Sequence, residues 1–239
     1  MQQFRSVLFA TCLLALAVTP LAAQYKGPYT GPTVAKNRVG FQVGLFSPEG
    51  DSAYWRDKEL EFTGRAGDFE DFAFSFDYQR FLSERFALLV SSTFYEGSAD
   101  QSYLDWVDEA GGPIPHTTTL GIATFEIGIV FRFLSRDAPV IPYVSAAGGL
   151  YAWELEESGD FIDFSVLDPE IFTDTFTADG QTFGWSGILG LEIPLNRNWS
   201  VTIEARFRNA DAELGDDFQG FGTLDLSGRT YLAGMTWGF

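Results

Sequence analysis

In 239 residues the chain carries 33 acidic side chains against 15 basic ones, a formal net charge of −18, which leaves no basic face for a phosphate backbone and excludes nucleic acid as a partner. Aromatic residues make up 16% of the sequence, with 24 Phe among them. That is too much apolar surface for a disordered acidic chain, so a large area must be buried or dissolved in lipid.

Residues 1–5 carry one positive charge, residues 7–18 are uncharged and apolar, and Thr19-Pro20 with the small pair Ala22-Ala23 precedes Gln24. This is the pattern of a cleaved secretory signal peptide, read here as residues 1–23. The apolar run is shorter than the roughly 20 residues a helix needs to cross a bilayer. The single cysteine, Cys12, lies inside this leader. It cannot be a lipidated cysteine, because the apolar run continues past it. The exported chain therefore has no thiol for a disulfide, a metal or a nucleophile. No cofactor is called for, and no metal centre.

Residues 24–36 form a Gly/Pro-rich lead, and residues 37–239 are read as one domain. Eight segments in it alternate with a period of two, the mark of a strand with two unlike faces. In residues 39–46, Val39, Phe41, Val43 and Leu45 oppose Gly40, Gln42 and Gly44. In residues 72–82, Phe72, Phe74, Phe76 and Tyr78 oppose Ala73, Ser75, Asp77 and Gln79. Residues 86–96 set Phe86, Leu88, Val90 and Phe94 against Ala87, Ser91 and Thr93. Residues 120–133 set Phe125, Ile127, Ile129, Phe131 and Phe133 against Thr124, Glu126, Gly128 and Arg132. The fifth segment, residues 141–154, is rich in Gly and Ala and does not declare its faces. Residues 183–195 place Phe183, Trp185, Leu189, Leu191 and Ile193 opposite Ser186, Gly190 and Glu192. The contrast is sharpest in residues 199–208, where Trp199, Val201, Ile203, Ala205 and Phe207 oppose Ser200, Thr202, Glu204, Arg206 and Arg208. The eighth, residues 226–239, ends in an alternating run that closes on Phe239.

The connections alternate as well. Residues 83–85, 134–140 and 196–198 are short, as antiparallel turns are, whereas residues 47–71, 97–119, 155–182 and 209–225 are long. Short turns at one end and long loops at the other, joining strands of about ten residues, is the plan of an outer-membrane barrel. A secreted soluble barrel alternates equally well, with its apolar face inward. Three features favour the membrane. The less apolar face is rich in Gly, Ala, Ser and Thr, which suits a narrow lumen better than a solvated surface. Trp153 and Trp185 fall at the long-loop ends and Trp199 and Trp237 at the short-turn ends, as two aromatic girdles would. The last strand ends on an aromatic residue without a polar tail.

With this leader, these eight strands and the terminal run from Tyr231 through Trp237 to Phe239, the chain resembles the small eight-stranded outer-membrane β-barrels, the group of OmpA transmembrane domains, OmpX and OmpW. The resemblance implies an all-β, antiparallel up-and-down transmembrane barrel with short periplasmic turns and long extracellular loops, located in the cell outer membrane. It implies that Tyr231, Trp237 and Phe239 are the signal read by the barrel-assembly machinery. Outer-membrane lipid and lipopolysaccharide are then the surroundings.

A lumen formed by eight strands is nearly filled by side chains. Here the inward set comprises Asp77, Glu126, Arg132, Glu192, Glu204, Arg206 and Arg208. Charges so confined must be paired, giving either a fixed salt-bridge plug or a rearrangeable gate along a narrow ion path. The loops hold most of the acid, with nine carboxylates and no basic residue in residues 154–179, and Asp100, Asp105, Asp108 and Glu109 in residues 97–116. Such surfaces are solvated and repulsive, and divalent cations could bridge them to lipopolysaccharide phosphates. Within residues 155–182, Phe161, Ile162, Phe164, Val166, Leu167, Ile171 and Phe172 would fold over the barrel mouth or bind an apolar ligand. Asp168-Pro169-Glu170 has the form of a helix start. The sole histidine, His116, sits beside Thr117 and Thr118 without a Ser-His or Asp-Asp pattern nearby, so an enzyme is not expected. The expected role is structural or surface-interacting, carried by acidic loops above a plugged lumen; the alternatives are a channel for small ions or apolar molecules and, more remotely, a lipid-modifying enzyme.

Overall fold

The computed structural model describes residues 35–164 and 169–239. The leader, residues 1–23, and residues 24–34 of the lead lie outside the described residues. The chain forms strands β1 (Asn37–Pro48), β2 (Asp71–Phe81), β3 (Phe86–Val107), β4 (Pro113–Arg132), β5 (Ile141–Asp163), β6 (Glu170–Pro194), β7 (Trp199–Asn209), β8 (Asp211–Glu213), β9 (Thr223–Asp225) and β10 (Gly228–Gly238), with one helix, α1 (Ala53–Glu61). Eight of the strands close a barrel in the order β1-β10-β7-β6-β5-β4-β3-β2, and β8 and β9 pair separately. Closure runs from Arg38 opposite Gly238 to Pro48 opposite Gly228. With no free edge, every strand finds its ladder partner inside the chain, which is the condition for a sheet to lie in hydrocarbon.

The alternating apolar residues point outward. Phe41, Phe74, Phe86, Ile127, Leu189 and Ile203 are all 40–60% exposed, and Phe183 reaches 79%. In water such a continuous collar would be a large aggregation surface; in lipid it is dissolved. The turns at the opposite end from α1 are locally specified. Asn196 accepts hydrogen bonds through Oδ1 from the backbone N–H groups of Asn198 and Trp199, at 2.9 Å each. Ser83 Oγ accepts in the same way from Arg85 and Phe86.

Two of the expected long loops are largely strand. β3 and β4 run for 22 and 20 residues, and β5 and β6 for 23 and 25, so these hairpins rise well past the apolar collar. The carboxylates of these segments serve the ladder: Asp100 accepts from the hydroxyl of its cross-strand partner Thr117 at 2.8 Å, and Asp160 from Thr173 at 2.6 Å. Such facing pairs each add a few tenths to about 1 kcal/mol to a sheet. Glu170 opens β6 opposite Asp163, so no helix begins there; Asp168 lies outside the described residues. The connection after β1 does contain a helix, α1, whose N-terminus is capped by Ser52 Oγ accepting from Trp55 N.

The fifth segment also resolves. Ile141, Tyr143, Ser145, Tyr151 and Trp153 are buried toward the lumen, while Leu150 is exposed outward. Its faces were illegible because the bulky aromatics point inward and much of the lipid side is small. Gly190 makes room for this arrangement: a Cβ there would lie 2.1 Å from the Tyr143 ring.

Candidate functional site

The lumen is filled in layers, and Arg206 of β7 occupies the middle one, fully buried. Its Nη2 lies 2.6 Å from Asp77 Oδ2 on β2 and 2.6 Å from Glu204 Oε2. Nη1 donates to Ser75 Oγ at 2.9 Å and Ser91 Oγ at 2.8 Å, Nη2 to Gln42 Oε1 at 3.0 Å, and Nε to Glu204 at 2.7 Å. Tyr143 on β5 donates its hydroxyl to Glu204 from another wall. One guanidinium thus ties β7 to β1, β2 and β3 across the interior, using the forked donor geometry that only Arg offers.

Nearer the turn end, Glu192 of β6 receives Arg38 at 2.5 Å and Arg132 at 3.1 Å, together with the Ser200 hydroxyl at 3.0 Å. Arg132 also donates to Gln79 at 2.9 Å and lies 4.1 Å from the centroid of the Phe81 ring. On the other side of the Arg206 layer, Glu126 accepts from Tyr151 at 2.8 Å, while Arg208 stands 5.6 Å from the Phe46 ring. This third layer is looser: among the described residues Glu126 Oε2 and Arg208 Nε and Nη2 have no hydrogen-bond partner. Above it the filling turns apolar, with Phe46, Tyr95, Leu120, Ile122, Trp153 and Leu155 packed together and α1 laid over them.

The structure therefore gathers Asp77, Glu204 and Arg206 in one layer, Arg132 and Glu192 in a second, and leaves Glu126 and Arg208 with no hydrogen bond to each other among the described residues. Arg38 is not among the residues expected from sequence, because alternation is visible only from Val39, two residues into β1. Nor is Tyr143, because its segment has no assignable faces in sequence. Gln42, Ser75, Gln79 and Ser91 stood on the polar face but were not counted as partners.

Of the four tryptophans assigned to girdles, Trp185, Trp199 and Trp237 are exposed on the lipid side. Trp153 is not a girdle residue. It is 3% exposed and points into the lumen, on the same parity as Tyr151 and Leu155, with Gly180 on the neighbouring strand leaving space against its ring. At the turn end the Trp237 and Phe239 rings stack with centroids 4.9 Å apart, while Tyr231, also exposed on the lipid side, lies farther up β10 opposite Leu45. Phe239 and Asn37 exchange backbone hydrogen bonds.

At the α1 end, His116 is on β4 rather than in a loop, and it is buried. Lys58 of α1 reaches it at 3.2 Å from Nζ to Nε2 and is itself held by Glu157 at 2.8 Å and Thr118 at 3.2 Å. Tyr54 donates to the same Glu157. Burial and the neighbouring ammonium push His116 down to about 4. Burial lowers Lys58 as well, against the pull of Glu157. Lys58 is thus the donor and His116 the neutral acceptor. His116 turns Nε2 to an ammonium, and its Nδ1 has no partner among the described residues. The helix is fastened by Asp225, whose Oδ2 accepts from Asp51 N at 2.9 Å and whose carbonyl accepts from the Trp55 indole at 3.3 Å.

A sequence profile described as outer membrane protein beta-barrel domain matches residues 8–239. Among solved structures, Neisserial surface protein A is similar at 12% identity and a TM-score of 0.48, over 86% of this chain and 98% of that one. Outer membrane protein OprG of Pseudomonas aeruginosa is similar at 10% identity and 0.49, over 87% and 98%. Outer membrane protein W of E. coli follows at 14% and 0.41, over 86% and 98%. No curated protein matches the sequence.

Proposed function

The chain belongs to the outer membrane protein β-barrel domain family, and from that premise we propose that it is a non-conducting barrel of the outer membrane whose work is done by its α1 end, turned outward from the cell. The apolar collar anchors it in lipid. The observation that carries the reading is Arg206, whose ion pairs and hydrogen bonds join four strands across the interior. Breaking such a pair without a substitute costs about 3–5 kcal/mol, so thermal opening of this layer is rare.

The projecting hairpins and α1 then form a recognition surface. Exposed carboxylates such as Asp105, Asp174 and Asp179 line them. Among the described residues no trio of metal-ligating side chains converges; a divalent cation would therefore act as a bridge from these carboxylates to lipopolysaccharide phosphates. Trp237 and Phe239, accessible on the lipid side at the turn end, and Tyr231, on the same face farther up β10, serve as the segment engaged by the barrel-assembly machinery.

Planar-bilayer recording tests the plug. The expected trace is silent at moderate voltage. Reproducible openings whose size changes in Arg206→Met or Glu126→Gln would replace this reading with a narrow channel, the alternative to which the unsatisfied Glu126–Arg208 layer lends most support.

A further inference from the structure

Between α1, the upper part of the β5–β6 hairpin and the turn at residues 216–218 lies a cavity of about 350 Å³, within the range of small-molecule sites. Its walls are aromatic: Phe62, Tyr103, Phe161 and Phe176 on one side, Phe218 and Phe221 on the other. Phe221 is 50% exposed, although this end stands beyond the lipid collar. The carboxylates lining the space are Asp57, Glu61, Glu157 and Asp217, and the single lining cation is Lys58. Lys58 and Glu157 neutralise each other at 2.8 Å, so the charge left at the mouth is that of Asp57, Glu61 and Asp217. The walls already hold one ammonium: Lys58 Nζ stands 4.2 Å from the centroid of Phe62 and 6.0 Å from that of Tyr54.

We propose that this cavity binds a small organic cation with an apolar body, its charge placed between the aromatic faces and the mouth carboxylates of Asp57, Glu61 and Asp217. Ring faces carry negative charge density and attract a weakly hydrated ammonium, and the carboxylates add to that field. An anion of the same shape meets repulsion from both. A bare divalent ion finds no ligand cage, since no trio of metal-ligating side chains converges among the described residues. The inference deepens the recognition role proposed for this end and rests on it for the side from which the ligand arrives.

The test is equilibrium binding of benzyltrimethylammonium to the full barrel in a maltoside detergent, which has no ammonium group, against phenylacetate and tetramethylammonium. Benzyltrimethylammonium is expected to bind saturably, at least about tenfold more tightly than either comparison compound. The triple variant Asp57→Asn, Glu61→Gln, Asp217→Asn, whose amides keep an acceptor for the Thr177 N–H that Asp217 holds at 2.9 Å, should weaken it by about tenfold, and Phe218→Leu should weaken it while preserving the preference for cations. Repeating the titration with phosphatidylcholine vesicles added separates a free cation from a lipid headgroup: competition would assign the site to the headgroup. Equal binding of phenylacetate, or undiminished binding by the triple variant, overturns the proposal. Conductance recorded on the same preparation keeps a failure here distinct from a failure of the plug.

Discussion

One barrel wall encloses two unlike fillings. In the half toward the short turns, guanidinium and carboxylate groups interlock around Arg206 and Glu192; in the half toward α1, aromatic rings and aliphatic side chains pack as in a soluble core, with one polar cluster of Lys58, His116 and Glu157 under the helix. The difference follows from what lies outside. Where the wall is ringed by lipid, apolar side chains have a solvent of their own and the interior is left to polar groups. Where the hairpins leave the lipid, they need an inside in which to bury oil, and the alternation carries rings inward.

The largest break in this comparison should come from Arg206→Met, which strands Asp77 and Glu204 in the lumen. It should cost about 3–5 kcal/mol, read by denaturant unfolding in lipid vesicles. Adding Asp77→Asn and Glu204→Gln should recover most of the loss, because the penalty belongs to uncompensated charge.

A pH change should act on the α1 end. His116 has a folded pKa of about 4 against a usual 6.5, so the opened headpiece takes up a proton that the closed one refuses. Its stabilisation is whole above pH 6.5 and is lost as pH falls toward 4, by up to about 3 kcal/mol. Hydrogen exchange in α1 should follow this course. His116→Gln, which keeps an acceptor for Lys58 but does not titrate, should remove the part due to the ring.

Smaller still is Gly190→Ala, whose new methyl must push Tyr143 away from Glu204. Overpacking of this kind costs about 1–3 kcal/mol, and Tyr143→Leu in the same chain should relieve it. Asp160→Ala, on the projecting hairpin, should cost under about 1 kcal/mol, measured as the same unfolding midpoint shift. A larger loss would mean that the arm and the barrel unfold as one unit.

Much of the barrel was legible in sequence because lipid enforces a strict alternation: Phe72 to Tyr78 and Trp199 to Arg208 read directly as two-faced strands. The same rule misled at its borders. Trp153 lies near the height at which lipid gives way to headpiece, where a bulky residue can as well point inward, and composition does not mark that height. Residues 155–182 show no clean alternation and read as a long connection, although cross-strand pairs such as Thr173 donating to Asp160 hold them in strands. The pairing of Lys58 with His116 and Glu157 joins positions on α1, β4 and β5, and no local pattern links them. The charged lumen residues could be enumerated from parity, but their partners depend on which strands face one another across the interior.

The claim beneath all of this is that the lumen is closed to water and ions, and thiol accessibility addresses it most directly. Ser186 is fully buried, faces the lumen beside Arg208 in the ladder, and its hydroxyl has no partner. Ser186→Cys, in a chain begun at Gln24 and so free of any other cysteine, should resist a small charged methanethiosulfonate in lipid vesicles while Asp105→Cys on the exposed arm reacts at once. Rapid modification of the Ser186 variant in the folded barrel would mean an open water path, and the account of a plugged lumen would be wrong.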